Sequence, residues 1–112
     1  MAKDSLEETV AALRREFAAG LPERLAALQL ALDGLRRGVT RDTIQAFHLP
    51  THALTGTAGS YDAHELVPHV ARLATLGRRW RDAGAASPAE LDEAARELDR
   101  LKSAIERFRQ RV

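Results

Sequence analysis

The chain lacks cysteine, long hydrophobic runs and a secretory signal, and each absence excludes a class of structure. Without cysteine there are no disulfides and no thiolate ligands for a metal ion. No apolar run approaches the roughly 20 residues that a membrane-spanning helix needs. Residues 1–8 are polar and acidic, without the apolar stretch of a signal peptide. We therefore expect a soluble, cytoplasmic protein.

The chain also lacks an excess of charge of either sign. Its 17 Lys and Arg residues nearly balance its 16 Asp and Glu residues, and the net charge is +1. This balance argues against a protein held to nucleic acid mainly by its net charge. A glycine-rich nucleotide-binding segment is absent as well, so a catalytic kinase domain is not expected. With 112 residues, of which 45% are hydrophobic, the chain suits a single domain with one core. The methionine at position 1 favours a free-standing unit.

Apolar residues recur at steps of three and four along almost the whole chain, which predicts an all-helical fold. A first short helix should end at Gly20, which suits a left-handed C-cap, and Pro22 fits the first turn of a second helix. That second helix carries a leucine stripe and should close at Gly38. A third helix should begin near Thr40 or Asp42 and run to Tyr61. The proline inside it, Pro50, predicts a kink near residues 46–49 or a break into two pieces.

Two further helix starts carry capping signals. Residues 62–65, Asp-Ala-His-Glu, have the form of a capping box and should open the fourth helix. Residues 87–90, Ser-Pro-Ala-Glu, form a stronger start for the last helix, in which Leu91, Leu98, Ile105 and Val112 repeat every seven residues. Short connections make neighbouring helices antiparallel. The pattern therefore predicts an up-and-down antiparallel four-helix bundle with an additional N-terminal helix.

The third predicted helix carries a histidine on its outer side. Its inner stripe consists of apolar and small residues at helical spacing: Ile44, Phe47, Thr51, Leu54 and Ala58. His52 lies roughly 130° from that stripe, so it should be exposed. Gly56 and Gly59 follow it on the outer side, and Gln45 and Leu49 precede it. Two glycines in a helix are costly, so we interpret them as clearance for a partner that approaches the imidazole, a competent nucleophile when neutral.

Residues 52–59, His-Ala-Leu-Thr-Gly-Thr-Ala-Gly, resemble the His-x-Leu-x-Gly-x-x-Gly core of histidine-containing phosphotransfer (HPt) domains of bacterial phosphorelays. The resemblance covers roughly residues 13–82 and includes residues 21–25, Leu-Pro-Glu-Arg-Leu, with Ser60-Tyr61 and Leu66. It implies a single HPt-like domain over residues 1–112. It also implies that His52 accepts a phosphoryl group from a receiver-domain aspartate and passes it to another receiver.

The same resemblance implies a phosphocarrier rather than an enzyme, with no cofactor of its own, because Mg²⁺ would belong to the receiver. The expected partners are response-regulator receiver domains, with a hybrid histidine kinase as a further candidate and no nucleic acid or membrane. We expect a monomer. Gly56, Gly59, Thr55 and Gln45 would support the site, and Leu49, Arg72 and Arg79 would dock the partner.

The sequence departs from the family pattern at two positions. Thr55 stands where most members carry a lysine that helps with the phosphoryl charge, and Asp62 stands where a glycine is common. Thr55 offers a hydroxyl but no positive charge, so Arg72 or Arg79 would have to supply it, or transfer would be slower.

Two other functions stay open at this point. The chain could be an HPt-like interaction bundle that binds a receiver or a histidine kinase without being phosphorylated. A remote alternative is a metal-binding helical bundle. In that case His48 and His52, four residues apart, would share an ion with further ligands from His64, His69 or Asp62.

Overall fold

The computed structural model describes residues 2–112, with side chains from Ser5 onward, and these residues form four α-helices. The helices are α1 (Ala2–Arg37), α2 (Arg41–Ser60), α3 (Val67–Ala83) and α4 (Pro88–Arg111). Each helix packs against the next along the chain, and α4 closes the ring against α1. Within the described residues no Cα atoms of the diagonal pairs α1/α3 and α2/α4 lie within 8 Å of each other. The predicted all-α bundle is confirmed.

The first two predicted helices are one continuous helix, so the prediction of an additional N-terminal helix was wrong. Gly20 does not end α1, and Pro22 lies inside it. Buried side chains continue across the expected break at Phe17, Leu21 and Leu25. Each such burial is worth about 1.5–3 kcal/mol, which offsets the roughly 3 kcal/mol that an interior proline costs. Pro22 itself is exposed, so its ring lies on the solvent side.

The second helix begins as predicted and then runs through its proline. Thr40 is the N-cap: its side chain accepts a hydrogen bond from the backbone N of Thr43, and the Thr43 hydroxyl accepts one from the backbone N of Thr40. The predicted alternative of a break at Pro50 was wrong, since α2 continues to Ser60. Pro50 removes the donor for the carbonyl of Ala46, but Ala46 is exposed and water can hydrate that oxygen.

The connection between α2 and α3 is not the capping box that residues 62–65 predicted. α3 begins at Val67, and its N-cap residue Leu66 makes no side-chain capping bond. Asp62 instead adopts a left-handed backbone conformation, with φ of 56°. Glu65 accepts a hydrogen bond from the Arg111 guanidinium, with 2.7 Å between Oε2 and Nε. The acidic side chain therefore ties this turn to the end of α4 instead of capping a helix.

The last helix agrees with its prediction. The Ser87 hydroxyl accepts a bond from the backbone N of Glu90, and the Glu90 carboxylate accepts one from the backbone N of Ser87. Leu91, Leu98 and Ile105 of the predicted seven-residue repeat are buried, and Val112, which follows the end of α4, is partly buried. Trp80, Phe47 and Phe108 are the largest fully buried side chains of the core. In residues 2–112 no helix combines the length and the hydropathy that crossing a membrane requires.

Candidate functional site

His52 is exposed on the outer side of α2, as predicted from the helical period. Its neighbours Thr51 and Leu54 are buried, and the rest of the predicted inner stripe is buried with them. The core therefore fixes the rotation of α2 about its axis, and this rotation holds the imidazole out to solvent.

Gly56 and Gly59 lie on the same outer side and leave open space. A Cβ atom added to either residue would meet no heavy atom of another element within 4 Å. Neither glycine is needed for close packing inside this chain. Each costs roughly 1 kcal/mol relative to alanine in a helix.

Thr55, Gln45 and Leu49 are all exposed, as predicted. The Thr55 hydroxyl donates to the backbone O of Thr51 at 2.9 Å, so its proton is used within the helix. Gln45 borders a depression between the start of α2 and the end of α3. Leu49 keeps 54% of its surface exposed and precedes His52 on the helix. The Leu49 side chain is therefore accessible to a partner.

His48 lies beside His52 in the structure, whereas the sequence indicated only a role as a metal ligand for it. It is 6% exposed, and its ring centroid lies 5.8 Å from that of His52. Its Nε2 is 3.3 Å from Nη1 of Arg81. A guanidinium only donates, so Nε2 accepts and the ring proton lies on Nδ1, which is buried without a partner. Burial, followed by the charge of Arg81, lowers the pKa of His48 and so favours the neutral ring.

Gly77 explains how His48 becomes buried. A Cβ added to Gly77 would lie 3.2 Å from Cα and 3.3 Å from Nδ1 of His48. The missing side chain thus allows α3 to approach the backbone of α2 closely. Position 48 follows Ile44 by four residues and precedes Thr51 by three, so it lies at the border of the inner stripe. This spacing in the sequence indicates that the His48 side chain is at least partly buried.

The predicted docking residues Arg72 and Arg79 both reach the last helix. Arg72 forms an ion pair with Glu93, and Nη1 of Arg79 lies 3.3 Å from Oε2 of Glu90. These glutamates belong to α4, which does not contact α2 among the described residues. The two arginines are therefore not placed together with His52.

Another arginine of α3, Arg81, lies at His48. Arg81 contacts His48 and also pairs with Asp82, at 3.1 Å between Nη2 and Oδ1. The charge of Arg78 also lowers the pKa of His48, after burial, Arg81 and His52. Within residues 5–112, Arg78 has no carboxylate within 4.0 Å. Of the arginines of α3, Arg81 thus contacts α2 directly, and the charge of Arg78 acts on the same histidine.

The histidines proposed as a metal site have separate surroundings. His69 Nδ1 lies 3.3 Å from Oε1 of Glu97. His64 Nε2 lies 3.5 Å from Oε1 of Glu65. In the part of the chain that the structure describes, no three or more His, Asp or Glu residues are grouped so that they could hold a metal ion.

No protein-family model matches this chain, and neither a curated protein nor a solved structure matches it significantly.

Proposed function

We propose that this chain is a phosphohistidine carrier of a phosphorelay, with His52 as the residue that holds the phosphoryl group. The observation that carries the proposal is an exposed imidazole on α2, followed on the same side by two glycines that no contact within the chain requires. A receiver domain would need that clearance to bring its phosphorylated aspartate to the ring. The resemblance of residues 52–59 to HPt domains supports the same assignment.

The proposed reaction is a reversible phosphoryl transfer. The lone pair of the outer ring nitrogen of His52, Nε2, attacks phosphorus, and the bond to the aspartate oxygen breaks so that the aspartate leaves as a carboxylate. The proton on Nδ1 stays, and the product is a phosphoimidazolium. Such transfer relies on positioning and charge stabilisation, and the receiver's Mg²⁺ would neutralise the phosphoryl oxygens. This chain supplies the aligned nucleophile and no nucleotide-binding or kinase catalytic part.

The chain compensates for the departures from the family pattern. Asp62 stands at a position where the resembled family commonly has glycine, and its backbone is left-handed there. Aspartate tolerates that conformation better than most residues with a side chain. In place of the lysine replaced by Thr55, we assign the positive charge to Arg78 and Arg81, since Arg72 and Arg79 are paired with α4.

The test is phosphorylation by a phosphorylated receiver domain. We expect wild-type protein to acquire acid-labile, base-stable phosphate, and His52→Ala to acquire none. His64→Ala removes another exposed histidine and is the matched control, which should be labelled like wild type. If no receiver labels the wild type, or if His52→Ala keeps the label, the carrier proposal is wrong.

The same assay tests the source of positive charge. We expect Arg78→Gln and Arg81→Gln each to slow labelling about two- to fivefold, because one partly solvated charge is worth up to about 1 kcal/mol. Arg79→Gln is the control, since its guanidinium is held by Glu90. Equal rates for all three variants would refute the assignment of charge and leave that of His52 intact.

A second candidate function is an interaction bundle that binds a receiver or a histidine kinase without being phosphorylated. The Thr55 hydroxyl favours it, because this group donates into its own helix and offers no charge to a phosphoryl group. Binding of a receiver together with an unlabelled His52 would identify this function.

A further inference from the structure

The first part of α1 extends beyond the rest of the bundle. A 36-residue helix is about 54 Å long, and the longest dimension of the molecule is 54 Å. The first residues of α1 with buried side chains are Phe17 and Ala18. We call residues 5–16 the N-terminal arm. The apolar side chains of this arm are exposed, so a partner helix that buries them would stabilise the arm.

One side of the N-terminal arm is an apolar stripe. Leu6, Val10 and Leu13 recur at steps of four and three, and they are 65%, 43% and 44% exposed. This spacing is that of the seam between two paired helices. Val10 and Leu13 also border a surface depression with Ser60 and Tyr61 at the end of α2. The stripe thus reaches a depression at the end of α2, which one or two side chains of a partner could enter.

The charges beside this stripe match those of a second arm that runs in the opposite direction. Glu7 and Arg14 lie on the same flank of the stripe, with Glu7 towards the chain start and Arg14 towards the bundle. In an antiparallel pair this flank meets its own copy, so Glu7 of each chain faces Arg14 of the other. In a parallel pair the same flank would meet Thr9 and Glu16, and Glu7 would lose its arginine partner.

We propose that the N-terminal arm binds the arm of a second copy of this chain as an antiparallel helix pair. The pair has two-fold symmetry, so each contact between Glu7 and Arg14 occurs twice. The Nε atom of Arg14 donates to the backbone O of Tyr61 at 3.1 Å, which places the guanidinium at the end of α2. Its two other nitrogens can still donate to a carboxylate.

The interface is small, because three apolar residues from each chain form its centre. We expect it to bury less than about 1,200 Å², which is typical of weak and transient association. Dimerisation should therefore depend on protein concentration. This inference does not depend on phosphoryl transfer at His52.

Sedimentation equilibrium over a wide range of concentration tests the dimer. We expect the average mass to rise from 12.3 kDa towards twice that value. Val10→Asp should weaken association at least ~10-fold, since it places two carboxylates in the seam. The matched control is Leu30→Asp, which changes an exposed leucine of α1, 68% exposed, outside the arm. A monomer at every concentration, or equal weakening by both variants, would overturn the proposal.

Charge exchange tests the antiparallel orientation. Glu7→Arg and Arg14→Glu should each weaken self-association, because like charges then face each other. A mixture of the two variants should associate more strongly than either one alone, since opposite charges meet again in the mixed dimer. Circular dichroism of each variant checks that the helices are retained. If the mixture associates no more strongly than either variant alone, the arms do not pair in the antiparallel orientation.

Discussion

Replacing Gly56 by leucine is expected to slow phosphoryl transfer from a receiver to His52 by about 100-fold and to leave the bundle folded. Gly56 lies one turn after His52 on the outer side of α2, and a Cβ atom there meets nothing within the chain. The leucine would therefore cost the isolated protein little. It would instead stand between the imidazole and an approaching receiver, and displacing the reacting atoms by about 1 Å is enough for a loss of this size.

A small phosphoryl donor separates obstruction from damage to the histidine. Phosphoramidate needs no docking surface, so it should label Gly56→Leu and wild type at similar rates. Ser103→Leu adds an exposed leucine to α4, which does not contact α2 in the described structure, and receiver transfer to it should be unchanged. If the receiver labels Gly56→Leu at the wild-type rate, clearance is not the reason for this glycine.

Replacing Gly77 by alanine is expected to destabilise the protein by roughly 1–2 kcal/mol. An added Cβ would lie 3.2 Å from Cα of His48, which is backbone and cannot rotate away. Overpacking of this kind costs about 1–3 kcal/mol, and the better helix propensity of alanine returns up to about 1 kcal/mol. The free energy of unfolding from urea titration measures the difference.

Gly56→Ala is the matched control for that experiment. It makes the same change in a helix of the same bundle, but at a position with open space, so it should stabilise the protein by about 0.5–1 kcal/mol. The two substitutions would then change the free energy of unfolding in opposite directions. Stabilisation by Gly77→Ala would show that the close approach of α2 and α3 is not tight.

The features that the sequence predicted correctly are those that depend only on residues close together in the chain. The capping box of Ser87 and Glu90 forms within a single turn, and the repeat in α4 depends only on the period of a helix. The outward position of His52 follows from the stripe on its own helix. By contrast, the expected end at Gly20 failed because propensity is local, whereas the burial of Phe17 and Leu21 depends on the other helices.

The sequence by itself determined an all-helical bundle and an exposed histidine followed by two glycines, because the helical period relates each residue to its own neighbours. Only the tertiary structure decided which helix each outer side chain reaches. It turned Arg72 and Arg79 towards α4, buried His48 against Gly77 and placed Arg81 on the His48 ring. These contacts join residues far apart in the chain, and their geometry is set by how closely the backbones of two helices approach.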